Sequence, residues 1–378
     1  MSVQELALQR SKYKHLSDTE WRWMLQQVDG RERTAEKLPS FAAINDWWYP
    51  VRLSCEQCSS ELTAKYKASL VHGEKMADLT AGYGVDTFFL SEQFTHTDYV
   101  EQDAELCRIA LHNFSDKTIT IHNSSAEEFL SSAGLYDLIY LDPVRRDNHG
   151  GKVFRLEDCT PNIVDLLPEL QAHLNPNGRI MLKLSPMLDI SQALSQLSTF
   201  HSPLSWDIHV VAIKNEVKEV LLLSGGKGTI TAIDLAKKEQ TFVFTKEEEK
   251  EANYQLPTTN YRFIYEPNAA ILKTGAYKLV ATRFGLNKLD VNTHLYVSDR
   301  LVNHFPGRVW LINSQITNQK LQITQANVLC RNYPLTAEQL KKKLHLRDGG
   351  KEFVIGCRIN GKPSVFLAER IENVHSES

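Results

Sequence analysis

The chain has 378 residues, of which 42% are hydrophobic and 24% charged, and its formal net charge is −3. That length supports two or three domains with a substantial core, and the composition is that of an ordinary globular protein without repeats or low-complexity tracts. A small negative net charge gives no overall attraction to nucleic acid, and no apolar run approaches the ~20 residues of a membrane span.

Residues 1–70 mix polar and apolar positions at helical spacing and predict a helical N-terminal cap. Four of the six tryptophans, Trp21, Trp23, Trp47 and Trp48, fall there. Indoles at that density can stack nucleic-acid bases, but packing against the domain that follows is the stronger expectation. The N-terminus, with Gln4, Glu5 and Gln9 among its apolar residues, lacks a signal-peptide pattern, so the cytoplasm is the expected compartment. Cys55 and Cys58 form a C-x-x-C pair. A structural zinc wants four ligands and no second such pair exists, so the two read as incidental thiols and no metal site is expected.

From Lys75 the chain reads as a buried strand that ends in a glycine loop and opens a helix: Lys75-Met76-Ala77-Asp78-Leu79-Thr80-Ala81-Gly82-Tyr83-Gly84-Val85-Asp86. Gly82 and Gly84 let the backbone turn tightly and approach a ligand with no Cβ between them. A dinucleotide fingerprint needs a third glycine where Thr87 stands, and a P-loop needs a lysine that is absent, so a pyrophosphate cradle is poorly supported. The acids Asp78 and Asp86 would repel a diphosphate but suit the ammonium and sulfonium of S-adenosylmethionine (SAM). A second strand, Thr97-Asp98-Tyr99-Val100-Glu101, ends in an acid nineteen residues after Gly82, from which a carboxylate can grip two ribose hydroxyls. Glu101 by itself does not separate a nicotinamide dinucleotide from SAM.

The run Tyr136-Asp137-Leu138-Ile139-Tyr140-Leu141-Asp142-Pro143 reads as a buried parallel strand whose carboxyl end opens onto the same crevice. In amino-group methylation, the Asp142 carboxylate and the carbonyl before or at Pro143 are placed to accept the amine hydrogens. An Asp-Pro pair alone is an ordinary turn; in series with Asp78, Gly82, Gly84 and Glu101 at one-strand intervals, the functional reading prevails. Arg145 and Arg146 follow, where an ion pair and a contact to a base or phosphate are equally expected.

Further on, Thr160 is expected to cap a helix with Pro161 in its first turn and Ile163, Leu166, Leu167, Leu170 and Leu174 on one face, stopped by Asn175-Pro176-Asn177-Gly178. Arg179 to Leu184 is the next strand, and the runs 208–213 and 220–223 predict an antiparallel hairpin. Lys183-Leu184-Ser185-Pro186-Met187 contains no cysteine, which argues against covalent carbon methylation. Short strands are expected over 229–233 and 241–244, the charge run 246–251 reads as a solvated loop or helix face, and Glu266-Pro267-Asn268 reads as a helix opening. Thr336 and Gln339 have capping-box spacing, three lysines follow at 341–343, and Asn360-Gly361 marks a hairpin. Residues 301–378 carry 11 Lys plus Arg against 6 Asp plus Glu, a net +5 that suits an RNA partner or a solubilising face equally.

Residues 54–224 resemble a class I SAM-dependent methyltransferase, and the whole chain resembles bacterial methyltransferases that carry a C-terminal THUMP-like domain. The segments that carry the resemblance are 59–67, the glycine loop, Leu141-Asp142-Pro143-Val144-Arg145-Arg146, 266–271 and Arg331-Asn332-Tyr333-Pro334-Leu335. The resemblance implies an α/β protein with a Rossmann-like, doubly wound, seven-stranded sheet. It implies a helical cap over 1–70, a methyltransferase domain over 71–226, a ferredoxin-like α+β module over 227–305 and a THUMP-like domain over 306–378. It also implies SAM as cofactor, bound by Asp78, Thr80, Ala81, Gly82, Gly84, Asp86, Glu101, Gln102, Ser125 and Ala126. Asp142 and Pro143 would be catalytic, and Arg145 and Arg146 would meet a substrate expected to be a base in tRNA or rRNA, with no membrane partner. Related enzymes often place an aspartate after the third strand, where this chain has residues 122–128 with Ser125 as a possible adenine contact, and an Asp/Asn-Pro-Pro-Tyr/Phe motif whose aromatic falls where Arg145 lies. Non-catalytic SAM or RNA binding, protein methylation and, less favoured, nicotinamide-dependent dehydrogenation remain open at this point.

Overall fold

The helical spacing at the N-terminus resolves into α1 (Val3–Ala7), α2 (Asp18–Thr34), α3 (Pro39–Ala42), α4 (Arg52–Gln57) and α5 (Glu61–Ala68). Their starts are fixed by side-chain chemistry: Ser2 and Ser17 form capping boxes with Glu5 and Glu20, and Ser60 accepts from the Thr63 N–H. The computed structural model describes residues 2–145, 155–198, 204–236, 240–257, 261–316 and 323–371. The chain divides into two compact units, 1–207 with 220–227, and 208–219 with 228–378.

In the first unit, strands and helices alternate: β1 (Gly73–Asp78), α6 (Val85–Leu90), β2 (Phe94–Glu101), α7 (Ala104–Asn113), β3 (Ile119–Asn123), α8 (Ala126–Leu130) and β4 (Tyr136–Leu141). A short ribbon pairs β5 (Val144–Arg145) with β6 (Cys159–Thr160), followed by α9 (Ile163–Ala172), β7 (Leu174–Leu184) and α10 (Ile190–Ser198). The chain then enters β8 (Trp206–Ile213) and returns in β9 (Glu216–Ser224), whose last residues pair antiparallel with β7. The strands of this part of the sheet run in the order β9-β7-β4-β1-β2-β3, and β1, β2, β3, β4 and β7 are parallel. Order reverses between β1 and β4, so the crevice at their carboxyl ends is where this topology offers a ligand site. The central strands carry apolar runs because Met76, Ala77, Leu138, Ile139, Tyr140, Leu141, Ile180, Met181 and Leu182 are all buried.

The tryptophans pack, as the sequence favours. Trp47 lies 4.2 Å from Phe41 between ring centroids and donates to the Tyr83 hydroxyl at 2.8 Å, while Trp48 stacks on His112 at 3.8 Å. Two expectations fail around α9. Its cap is Asn162, whose Oδ1 accepts from the Val164 and Asp165 N–H groups, while Thr160 belongs to β6. The helix also stops at Ala172, and Leu174 already pairs with Tyr136; the Asn175–Gly178 segment lies inside β7, where a register shift against β4 and a left-handed Asn177 (φ 69°) absorb it.

The second unit contains β8 residues 208–213, β10 (Thr229–Asp234) parallel to them, and β11 (Phe242–Thr245) antiparallel to β10. The charge run is α11 (Lys246–Glu251), opened by a Thr245–Glu248 capping box. Its Glu249 carboxylate accepts from the Lys278 and Leu279 N–H groups, so the run has a structural task besides solvation. Next come β12 (Phe263–Pro267), α12 (Ala269–Thr274), α13 (Tyr277–Phe284), β13 (Asn287–Asp290), β14 (Thr293–Ser298), β15 (Gly307–Gln315), β16 (Asn327–Arg331), α14 (Ala337–Lys343), β17 (Glu352–Ile359) and β18 (Lys362–Arg370). Pro267 therefore ends a strand and only Asn268 caps the helix, contrary to the helical opening expected from Glu266. The capping box at Thr336 and the Asn360-Gly361 turn, both residues at positive φ, form as the sequence predicts.

One seven-stranded sheet, β13-β14-β12-β15-β18-β17-β16, organises residues 263–370. It curls on itself: Asn332, just past β16, donates to Thr293 Oγ1 of β14 at 3.1 Å, and the Asn360 and Gly361 N–H groups of the β17–β18 turn reach Leu289 and Asp290 of β13. Buried Glu266 pairs both with Arg308 of the adjacent strand and with Arg331 of edge strand β16.

Candidate functional site

The carboxyl ends of the parallel strands supply the crevice's acids Asp78, Glu101 and Asp142. β1 finishes at Asp78, which is 1% exposed; its Oδ1 accepts from the Thr80 N–H at 3.1 Å and its Oδ2 from the Thr87 hydroxyl at 2.6 Å. Burial pushes the Asp78 carboxyl up to about 8, against the two hydrogen bonds and with help from the nearby Asp86 and Asp142 charges. The loop then crosses Gly82 (φ 56°) and Gly84 (φ 81°), both left-handed. A Cβ on Gly84 would meet the Phe114 ring at 2.6 Å, whereas at Gly82 the nearest atom is 3.9 Å away and only the backbone conformation demands glycine.

β2 delivers Glu101 to the other side of the loop. Its carboxylate accepts from the Gly82 N–H and the Asp103 N–H, both at 2.9 Å, and Tyr99 donates to the Gly82 carbonyl. Ser125 caps α8 in a reciprocal box with Glu128, and Ala126 begins the helix. β4 delivers Asp142, whose N–H donates to Thr80 Oγ1 at 2.6 Å and whose Oδ2 is paired with Lys183. The Leu141–Leu182 register between parallel β4 and β7 places Lys183 beside Asp142.

These groups line one cleft of about 380 Å3, a size suited to a nucleoside-sized ligand. Asp78, Thr80, Ala81, Gly82, Gly84, Asp86, Glu101, Gln102, Ser125, Ala126 and Asp142 are all on its wall. Pro143 is buried beside it without lining it. The backbone of Arg145 lies in β5, and Arg146 is outside the described residues.

The sequence reading did not anticipate a second set of lining residues. Ser54, Gln57, Cys58 and Ser59 come from the N-terminal helical segment, and Tyr140 from β4. The Ser59 and Tyr140 hydroxyls each donate to Asp86 Oδ2 at 2.7 Å, and Lys67 Nζ lies 3.1 Å from Oδ1. Burial alone would raise the Asp86 carboxyl; Lys67, Lys183 and the two hydroxyls together outweigh it and hold the group below its ordinary range. Tyr140 had a legible signal, since it precedes Asp142 by two residues in a strand and so shares its face. Lys67 and Lys183 had none, because their partners are distant in sequence. Burial raises both thiols of the C-x-x-C pair, Cys55 to about 12, which disfavours thiolate. Among the described residues no group of three or more His, Cys, Asp or Glu side chains is arranged to hold a metal, and no helix is long and apolar enough to cross a membrane.

A doubly wound sheet with a glycine loop at its switch point and acids at successive strand ends defines a nucleoside-cofactor enzyme. Over 350 residues the chain is 21% identical to the uncharacterized S-adenosylmethionine-dependent methyltransferases of Mycobacterium tuberculosis strains CDC 1551 and H37Rv, covering 89% of this chain and 92% of theirs. A crystal structure from Porphyromonas gingivalis W83, assigned to the methyltransferases, is 31% identical with a TM-score of 0.83, covering 94% of this chain and 92% of that one. Residues 263–306 match a ferredoxin-like domain family and residues 308–370 a THUMP domain-like family. The chain belongs to the bacterial SAM-dependent methyltransferases with a C-terminal THUMP-like domain, and its cofactor is SAM.

Proposed function

We propose that the chain methylates a nitrogen of a base in tRNA or rRNA, in the cytoplasm. SAM supplies a methyl group already activated on a cationic sulfur, so the protein's work is positioning. Asp78, Thr80, Ala81, Gly82, Gly84 and Asp86 hold the methionine end, Glu101 and Gln102 the ribose, and Ser125 with Ala126 the adenine. Glu101 keeps lone pairs for ribose hydroxyls although each of its oxygens already accepts one backbone N–H. Asp142, with the carbonyl before or at Pro143, accepts the hydrogens of the target amine and turns the nitrogen lone pair toward the methyl group.

The hydrogen bond from the Asp142 N–H to Thr80 Oγ1 carries the reading, because it ties the acceptor end of the cleft to the cofactor loop. An RNA partner is supported by the THUMP-like match and by the basic residues 301–378. Arg145 and Arg146, which replace the aromatic platform, stack on the base or hold a phosphate. Incubating the protein with radiolabelled SAM and cell extract tests this: the label should be nuclease-sensitive, and a protease-sensitive label would identify a polypeptide substrate. Asp142→Ala should abolish labelling while SAM affinity stays within about threefold by calorimetry; unchanged labelling removes Asp142 from the mechanism.

A further inference from the structure

Two of the segments that carry the family resemblance, 266–271 and 331–335, take no part in the cleft, yet they meet in the second unit. Glu266 of β12 is buried, and its two carboxylate oxygens go to different arginines: Arg308 Nη2 donates to Oε2 and Arg331 Nε to Oε1. Strand register sets Arg308 opposite Glu266 on β15, and its guanidinium lies over the Trp310 ring, 5.5 Å from the centroid. Arg331 comes from the end of edge strand β16, and the two residues after it hold it there. Asn332, left-handed at φ 52°, donates to Thr293 Oγ1, and Tyr333 packs so close to Gly356 that a Cβ there would lie 3.0 Å from its ring.

One cation suffices to neutralise a buried carboxylate, so two guanidiniums against one Glu266 leave the cluster at net +1. The carboxylate also lies behind its partners: the Glu266 side chain is 3% exposed, against 28% for Arg308 and 42% for Arg331. Solvent therefore meets the cationic side. Arg308 Nε and Nη1 and Arg331 Nη2 donate to no described residue, so the pair keeps unspent N–H groups. Two guanidiniums that converge on both oxygens of one anion are spaced to share another, and their forks match phosphate oxygens.

We infer that Arg308 and Arg331, braced from behind by Glu266, clamp a backbone phosphate of the RNA. The inference rests on the RNA reading and gives it a binding site. Both arginines belong to residues 301–378, whose excess of positive charge draws the polyanion toward them. Glu266 is the positioning residue, since it fixes both guanidiniums before any phosphate arrives and so reduces the ordering cost of binding. A phosphate contact carries no sequence information, so the clamp holds the RNA in place and leaves the choice of base to other groups.

Anisotropy titrations of the full chain against labelled, unfractionated tRNA and against rRNA fragments, over a range of salt, test the assignment. Arg331→Gln leaves Glu266 paired with Arg308, and Arg308→Gln leaves it paired with Arg331, so both variants should fold and keep wild-type SAM affinity by calorimetry. Each should weaken RNA binding about fivefold or more and reduce the slope of log affinity against log salt by about 1. Arg331→Lys keeps the charge and loses the fork, so its slope should match the wild type while its affinity stays about threefold or more below it. Wild-type RNA affinity in either glutamine variant overturns the clamp, and so does full affinity in Arg331→Lys, which decides alone if the glutamine variants do not fold. Binding of polyglutamate that these variants lose while keeping RNA would assign the pair to an acidic protein and overturn the clamp as well. The two levels separate in the wild type: if it binds neither RNA at low salt, the RNA reading falls and takes the clamp with it, whereas equal RNA binding by wild type and variants removes only the clamp.

Discussion

At the scale of single residues, charge and burial in the cleft make opposite demands. Asp78 is raised to about 8 by burial, so at pH 7 it is largely protonated in the empty cleft. A cationic ligand favours the ionised form, and SAM binding should therefore release a proton. Calorimetry at pH 7 in two buffers of different ionisation enthalpy should detect that release in the wild type and lose it in Asp78→Asn. The same shift sets a stability trend: the neutral acid suits the buried site, so its contribution is complete below about pH 4 and is lost as pH rises through about 8. The two loop glycines should also differ. Gly84→Ala meets both a left-handed backbone and the Phe114 ring, and should cost about 3 kcal/mol in denaturant unfolding. Gly82→Ala meets only the backbone term, roughly 1 kcal/mol. Equal costs would mean that the Phe114 contact is relieved by movement.

At the scale of elements, local chemistry was readable wherever its partners lie within a few residues. The Thr336 box and the Asn360-Gly361 turn follow from three- and two-residue patterns, and both form. Ser125-x-x-Glu128 is an equally local box and was legible, although the serine drew attention as an adenine contact instead. The start of α9 was not legible, because Thr160 is drawn into a two-residue ribbon with Val144 and the cap passes to Asn162. Pro267 was misplaced for a related reason: its strand is fixed by pairing with Gly307, forty residues away. The lysines of α14 divide in a way the sequence does not reveal. Lys341 is engaged by Glu338 and Asp348, whereas Lys342 and Lys343 are exposed. If this helix meets RNA phosphates, Lys342→Glu with Lys343→Glu should weaken RNA binding and reduce the slope of log affinity against log salt by about 2. An unchanged slope would assign these lysines to solubility.

At the scale of the whole molecule, the cleft lined by Asp78, Gly82, Glu101 and Asp142 belongs entirely to the first unit. Hydrogen exchange with and without SAM should show new protection around 54–59, 78–87, 101–106 and 124–127, and little within 263–370. Protection confined to 263–370 would place the cofactor elsewhere. The sequence by itself determined the parallel α/β sheet, the glycine loop and the acids at its strand ends, because strand periodicity, left-handed turns and chain-local caps are written in neighbouring residues. Only the tertiary structure decided that α5 sends a buried lysine to Asp86, that β7 places Lys183 beside Asp142, and that Glu266 gathers two arginines from separate strands. Each of these pairs joins residues from 19 to 65 positions apart. An ion pair carries no periodicity, and its partner becomes identifiable only when strand register and helix docking have brought the two charges out of water together.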